Sequence, residues 1–540
     1  MDRRQLLGTF ALLGVTAACA NDSSSEGERR GGGSSDGSPA TQVVTAAAPA
    51  AADLPASVFG LGVASGDPLP EGVILWTRLA AWPAATMPAG EVEVAVDVAT
   101  DEGFEDLVVS EVAVARPELA HSVHVDVSGL SPDTWYFYRF RAGDQTSEVG
   151  RTRTLPTADA SPEQVRFVFA SCQDLQWGHY AAWGRAVEQP DVDAVVFLGD
   201  YVYESNFGDL SPTKDGSRVW ANAQAITLDD YRTRYAQTKS DPQLRAAHAM
   251  APWIITFDDH EVSNNYAGDV SQDDVDQPLS RDRRLAAYQA WYEHHPVRID
   301  PDPEGTPEEF DEIEVQRAVA FGSLLSLFSI ETRQHADVPP CRTGGGLAAD
   351  EGPLCEAATD PARTNLGEEQ EAWLLDGLTG SSTRWNVIAN PLMLAGLNLG
   401  TAEAPSFTRD TWDGYPAVRE RLLAGITSAG VSNPVVVTGD WHASFVLDVH
   451  ETPGDTTSPV VMPEFVASSI STVIFDEDYS AANPHVRYFD PEHGFGLVTV
   501  TPDELRCEFH YIADEWDPDS PTAHVDTFVV ADGERSARRA

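Results

Sequence analysis

Two hydrophobic rhythms divide the chain near residue 156. Before it, apolar and polar residues alternate with period two. Glu91-Val92-Glu93-Val94-Ala95-Val96-Asp97-Val98 and His121-Ser122-Val123-His124-Val125-Asp126-Val127 each present one apolar face. Short strands of this kind predict an all-β sandwich over residues 54–156. After it, the strands read as uninterrupted apolar runs: Val165–Ala170, Ala194–Leu198, Trp253–Phe257, Val387–Ala389 and Val435–Val437. Such runs suit parallel strands covered on both faces. Helical stretches lie between them. Pro242–Met250 follows an Asp241 cap, Arg283–His294 and Glu368–Leu378 are amphipathic, and Val418–Ser428 stops at Gly430. Ala318–Ile330 reads as a buried strand pair. Residues 157–532 are therefore expected to form an α/β layered domain, with a tail over 533–540.

The first 53 residues carry an address rather than a fold. Arg3-Arg4-Gln5-Leu6-Leu7 is a twin-arginine motif, and the apolar run Leu6–Ala18 is too short to span a bilayer. Thr16-Ala17-Ala18-Cys19 resembles a lipoprotein cleavage box, which makes residues 1–19 a signal and Cys19 the acylated residue. Thr16 stands where Leu is usual, so secretion after a cut elsewhere remains the other reading. Residues 20–53 are Ser, Gly, Ala and charge, a disordered tether. The expected location is the cell surface, lipid-anchored, or the medium, reached by the twin-arginine route. Outside the cell Cys341 and Cys355, which flank a glycine-rich loop, could form a disulfide.

Charge narrows the partners. Against 35 Lys+Arg stand 85 Asp+Glu, a formal net charge of −50. Such a surface repels phosphate backbones and argues against a stable nucleic-acid partner. The membrane is met only through the N-terminal anchor, and a monomer is expected.

Four of the apolar runs end in residues that bind metals. Val165–Ala170 leads to Ser171-Cys172-Gln173-Asp174, and Ala194–Leu198 to Gly199-Asp200-Tyr201-Val202-Tyr203-Glu204. Trp253–Phe257 leads to Asp258-Asp259-His260-Glu261, with Asn264-Asn265 beyond, and Val435–Val437 to Gly439-Asp440-Trp441-His442. Carboxyl ends of such strands form the crevice where ligands bind. An Asp after a strand is usually a turn residue. Independent turns rarely place Gly-Asp twice directly after a buried strand with His or Tyr in reach.

Together these motifs resemble the alkaline phosphatase D family, a branch of the calcineurin-like metallophosphoesterases. Gly62-Val63-Ala64-Ser65-Gly66-Asp67-Pro68 and Ile74-Leu75-Trp76-Thr77-Arg78 resemble the opening of its N-terminal domain. The resemblance implies a four-layer αββα metallophosphatase sandwich and hydrolysis of phosphate monoesters and diesters outside the cytoplasm, with Fe3+ and Ca2+ as cofactors. The preceding domain is expected to be immunoglobulin- or fibronectin-III-like, with Tyr136, after Leu130-Ser131-Pro132, as its tyrosine corner. Carried residue by residue, the resemblance makes Cys172, Asp200, Tyr203 and His442 the iron ligands, with Asp200 bridging to calcium. Asp259 and Asp440 then complete the metal set. These two stand where related enzymes use Asn and His, an exchange toward hard oxygen that favours calcium over zinc. Zinc, or calcium alone, is the other metal reading.

The expected chemistry is metal-assisted hydrolysis by a metal-bound hydroxide, with His260 protonating the leaving oxygen or binding the phosphoryl group. Arg333 is the candidate substrate-binding cation. Its neighbourhood departs from the family's Asp-x-Arg-x-Tyr-Arg, with Glu331, His335 and Ala336 replacing the other named positions, and Asn390-Pro391 replaces a more usual Asn-Gln. Two other readings remain: a phosphodiesterase or phospholipase-D-like enzyme acting on lipid or cell-wall polymers, and a surface-anchored binding protein that merely holds calcium.

Overall fold

The computed structural model describes residues 54–83, 86–206, 218–271, 279–301, 305–341 and 351–540. The signal, Cys19, the tether and the glycine-rich loop at 343–346 lie outside them. All described residues belong to one compact unit, Val43–Ala540.

The five apolar runs form two sheets. Val165–Gln173, Ala194–Phe197 and Trp253–Ile255 pair in parallel at the centre of an 11-stranded sheet. Trp385–Asn390 and Pro434–Thr438 pair in parallel within a seven-stranded one. The expected strand pair is present as Arg317–Phe321 and Leu325–Ser329.

Period-two geometry explains why the runs are apolar throughout, because each side of the strand meets a different core. Phe167, Val196, Val387 and Val437 pack in a core between the sheets. Their neighbours Val168, Val195 and Phe197 pack instead with Trp183, Leu244 and Trp291 from helices. Ile388 and Val436 pack with Leu374, Leu422 and Ile426 on the other side.

The helices match closely. Pro242–Met250 has Asp241 accepting from the Gln243 and Leu244 N–H groups. Arg281–His294 starts two residues earlier than expected, Glu368–Gly380 runs two further, and Pro416–Ala429 ends on a left-handed Gly430. Leu228–Lys239 is a helix that the hydrophobic pattern does not announce. Its sequence is polar, and its start is fixed by a capping box between Thr227 and Asp230. No helix among the described residues is long and apolar enough to cross a membrane.

The N-terminal strands form two layers, and one of them continues the large sheet. Val63–Leu69 joins Trp253–Ile255 in parallel at Gly66 and Trp253, followed outward by Gly72–Arg78 and Ser122–Ser128. A Cβ on Gly66 would lie 2.3 Å from the Pro296 carbonyl oxygen, so only glycine permits this junction. The second layer contains Val92–Ala99, Leu107–Ala115 and Trp135–Ala142. Val63, Leu75 and Val125 meet Val94, Val96 and Phe140 between the layers. Tyr136 Oη accepts a 2.8 Å hydrogen bond from the Ser131 N–H, tying the strand back to its own turn.

Candidate metal centre

The site is assembled where strands end and the backbone turns sharply. Cys172, Asp200, Asp440 and His442 all have positive φ, at 59°, 59°, 63° and 55°. Non-glycine residues held there cost about 1–3 kcal/mol each and persist only where the surroundings enforce them. Here the loops enforce them on one another. The Cys172 N–H donates to the Gly199 carbonyl and the Gln173 N–H to the Asp200 carbonyl, at 3.1 and 3.0 Å. Gly199 has φ 105°, and a Cβ on it would lie 2.5 Å from the Asp258 nitrogen. A side chain at Gly199 would therefore push apart two loops that carry candidate ligands.

This folding brings the expected ligands together in two overlapping groups. Donor atoms of Cys172, Asp200 and His442 lie within 4.8 Å of one another, as do those of Asp200, Asp259 and His260. Asp200 belongs to both. Tyr203 Oη donates to Asp200 Oδ2 at 3.0 Å and stands 3.4 Å from His442 Nε2. Asp440 belongs to neither triad. Burial, reinforced by Asp259, pushes its carboxyl up to about 7.

Electrostatics fit a cation. Burial, and next the charge on Asp200, push the Cys172 thiol and the Tyr203 phenol well above their ordinary ranges. Burial also raises Asp200 well above the carboxylate range, partly offset by His260. His442 is pushed down to about 3, first by burial, and so presents a neutral imidazole. Each group awaits a positive charge to ionise or a metal to take its lone pair. Asp200 Oδ1 is buried with no hydrogen-bond partner, a costly arrangement unless a cation fills it. Sulfur, phenol, imidazole and carboxylate around one position suit a transition metal, and the carboxylates beside it suit a hard divalent ion.

His260 lies beside the second triad. Burial opposes its charge, but Asp259 and Glu204 outweigh burial and hold the imidazolium well above the usual histidine range. Its Nδ1 is 2.7 Å from Glu204 Oε2, and Nε2 is 3.9 Å from Asp259 Oδ2. The Asn264 and Asn265 N–H groups donate to Glu204 and Asp259, at 2.8 and 2.6 Å, which closes the turn.

Arg333 is buried among carboxylates. Nε donates to Asp258 Oδ1 at 2.5 Å, Nη1 to both Asp410 oxygens at 2.9 Å, and Nη2 is 3.5 Å from Asp259. Glu331 accepts from the Arg333 and Gln334 N–H groups, while His335 reaches Glu312 at 3.4 Å. Cys341 and Cys355 are joined in a disulfide.

Two residues without an assigned role in the sequence reading prove central. Glu204 orients His260. Glu261 accepts from three backbone N–H groups: Asp200 at 3.1 Å and Asp258 at 2.9 Å through Oε2, and Tyr201 at 2.6 Å through Oε1. It clamps two loops that carry candidate ligands, and burial raises its carboxyl to about 7 against the pull of those donors. The signal for both was their position inside the motifs already singled out, Glu204 directly after Tyr203 and Glu261 directly after His260.

Comparison with known proteins agrees with this geometry. Residues 167–509 match the family described as PhoD-like phosphatase, and residues 45–156 its N-terminal domain. The chain is 39% identical over 490 residues to alkaline phosphatase D of Bacillus subtilis (strain 168), covering 89% of this chain and 82% of that protein. A solved structure of PhoD superposes with a TM-score of 0.84 at 38% identity, covering 91% of this chain and 93% of that one. With the strand-end metal donors in place and the match running through both parts of the chain, the protein belongs to the PhoD-like phosphatase family and is a phosphoric ester hydrolase.

Proposed function

We propose that this phosphatase works outside the cytoplasm on phosphate monoesters and diesters, with Fe3+ held by Cys172, Asp200, Tyr203 and His442. Ca2+ is held by Asp200, Asp259 and Asp440. The observation that carries this reading is Asp200, shared by both donor groups and carrying a buried oxygen without a partner. Cations held by these residues would supply Lewis acidity, neutralising phosphoryl oxygens and lowering the pKa of water.

The chain's own residues do the rest. Glu204 accepts a 2.7 Å hydrogen bond from His260 Nδ1–H, which orients the ring and leaves Nε2–H to bind a phosphoryl oxygen or protonate the departing alcohol. Arg333 holds Asp258 and Asp410 in place through Nε and Nη1, while its Nη2, 3.5 Å from Asp259 and buried without a hydrogen-bond partner, is the group left to meet a phosphoryl oxygen. Glu261 fixes the loops that present Asp200 and Asp258.

The layering is read as αββα, supported by one core between the sheets and one on each outer side. The N-terminal part is read as immunoglobulin- or fibronectin-III-like, supported by the Tyr136 hydrogen bond. Arg3-Arg4 and Cys19 support twin-arginine export and a lipid anchor. Metal analysis of the natively exported protein, beside paired monoester and diester assays, tests the proposal. Iron and calcium with turnover of both ester classes are expected. An active enzyme lacking both metals would overturn it.

A further inference from the structure

Among the described residues, ten large apolar side chains are exposed, and Phe475 is the aromatic one, with 45% of its surface open. A single exposed apolar residue means little by itself. Phe475 differs in what lies beneath it. Its ring stacks on the His442 imidazole, with centroids 5.0 Å apart and planes inclined by 11°. His442 is only 7% exposed and faces Tyr203 Oη through Nε2 at 3.4 Å, in the group formed with Cys172 and Asp200. One face of Phe475 therefore covers a metal-ligand candidate while the remainder of the ring meets solvent at the margin of the centre.

We propose that Phe475 is a specificity-determining residue, an apolar platform for the alcohol portion of the substrate that favours phosphate esters of aromatic alcohols. The proposal rests on the reading of His442 as a metal ligand. The phosphoryl group is recognised by the buried charges, and these are the same for every ester. Discrimination between alcohols must come from surfaces outside that polar cluster. Phe475 is the exposed aromatic surface in direct contact with it. An aromatic alcohol gains both apolar burial and offset stacking against such a ring, whereas a polyol gains neither.

The test uses the metal-replete, full-length enzyme with phenyl phosphate and glycerol phosphate. The quantity read is the ratio of kcat/KM for the two esters in wild type, Phe475→Ala and Phe475→Tyr. Phe475→Ala is expected to lower the phenyl-to-glycerol ratio by about three- to ten-fold, mainly through KM for phenyl phosphate. Phe475→Tyr, which keeps the ring, is expected to hold the wild-type ratio. An unchanged ratio in Phe475→Ala, or an equal loss on both esters, would overturn the proposal; the second result would mean that Phe475 only props His442. A parallel measurement of bound metal in His442→Ala separates the two readings. Retained metal there would sink the ligand assignment, whatever Phe475 does.

Discussion

Tyr203 Oη donates a 3.0 Å hydrogen bond to Asp200 Oδ2 across three residues of one loop. The other oxygen of Asp200 is buried without a partner. A carboxylate that is half satisfied and surrounded by Asp259, Asp440 and Glu261 is unfavourable in a protein interior unless a cation neutralises it. The native state should therefore depend on metal. Chelation of calcium is expected to abolish activity and lower Tm, and calcium should restore both without zinc. A ligand present at 1,000 times its Kd stabilises by about 4 kcal/mol, which scanning calorimetry would resolve. Full activity in a zinc-loaded, calcium-free preparation would contradict this.

The Glu261 clamp makes a separate prediction. Glu261→Gln replaces one acceptor oxygen with an NH2 group facing backbone N–H donors that the carboxylate now satisfies. Leaving a buried donor unmet costs about 1–3 kcal/mol. Metal affinity is expected to fall by about 10- to 100-fold, as for other residues that orient ligands. Isothermal titration with calcium reads the second effect independently of turnover, and wild-type affinity in the variant would exclude the clamp.

Acid sensitivity is expected at the junction of the N-terminal strands with the helix Arg281–His294. His124 Nε2 lies 2.8 Å from the His295 carbonyl, its ring stacks on Tyr292, and burial pushes its pKa down to about 4. The folded chain thus keeps this imidazole neutral where the unfolded chain, near 6.5, binds a proton. Its contribution is complete above pH 6.5 and is lost as pH falls toward 4, by at most about 1.4 kcal/mol per pH unit. Chemical denaturation at pH 7 and pH 4.5 should show a smaller pH dependence in His124→Gln than in wild type. Equal dependence would remove His124 as a cause.

Much of this architecture is legible in the sequence for a simple reason. Strands such as Val195-Val196-Phe197 are covered on both sides, so their apolar runs stand out, and the polar residues just after them form the candidate site. What escaped is long-range. Nothing in Leu228–Lys239 gives an apolar stripe, because its start is secured by side-chain capping and its buried residues include Arg234 and Lys239. The alternation at residues 91–98 and 121–127 announces a sandwich, but pairing of Gly66 with Trp253 depends on a close approach that only three dimensions reveal. The same holds for Arg333. Its sequence neighbours give no hint of Asp258 and Asp410, to which it is bound from 75 and 77 residues away.

The anchor prediction concerns Cys19. If Cys19 is acylated, Cys19→Ala should be shed into the medium with its catalytic rate intact, whereas wild type stays with the cell. Fractionation with an activity assay on each fraction decides it. Equal retention of both proteins would mean that the cleavage box at 16–19 is misread.

In the proposed centre Tyr203 and Cys172 hold a ferric ion beside Asp200. Phenolate and thiolate bound to ferric iron give charge-transfer absorption in the visible. The most direct measurement is therefore the visible spectrum and metal content of the purified, natively exported protein beside Tyr203→Phe and Cys172→Ala. A coloured wild type containing iron, a weakened or shifted band in Tyr203→Phe, and lost iron with most activity gone in Cys172→Ala are predicted. A colourless, fully active enzyme whose Cys172 is freely alkylated would contradict the account and leave a calcium-only or zinc centre in its place.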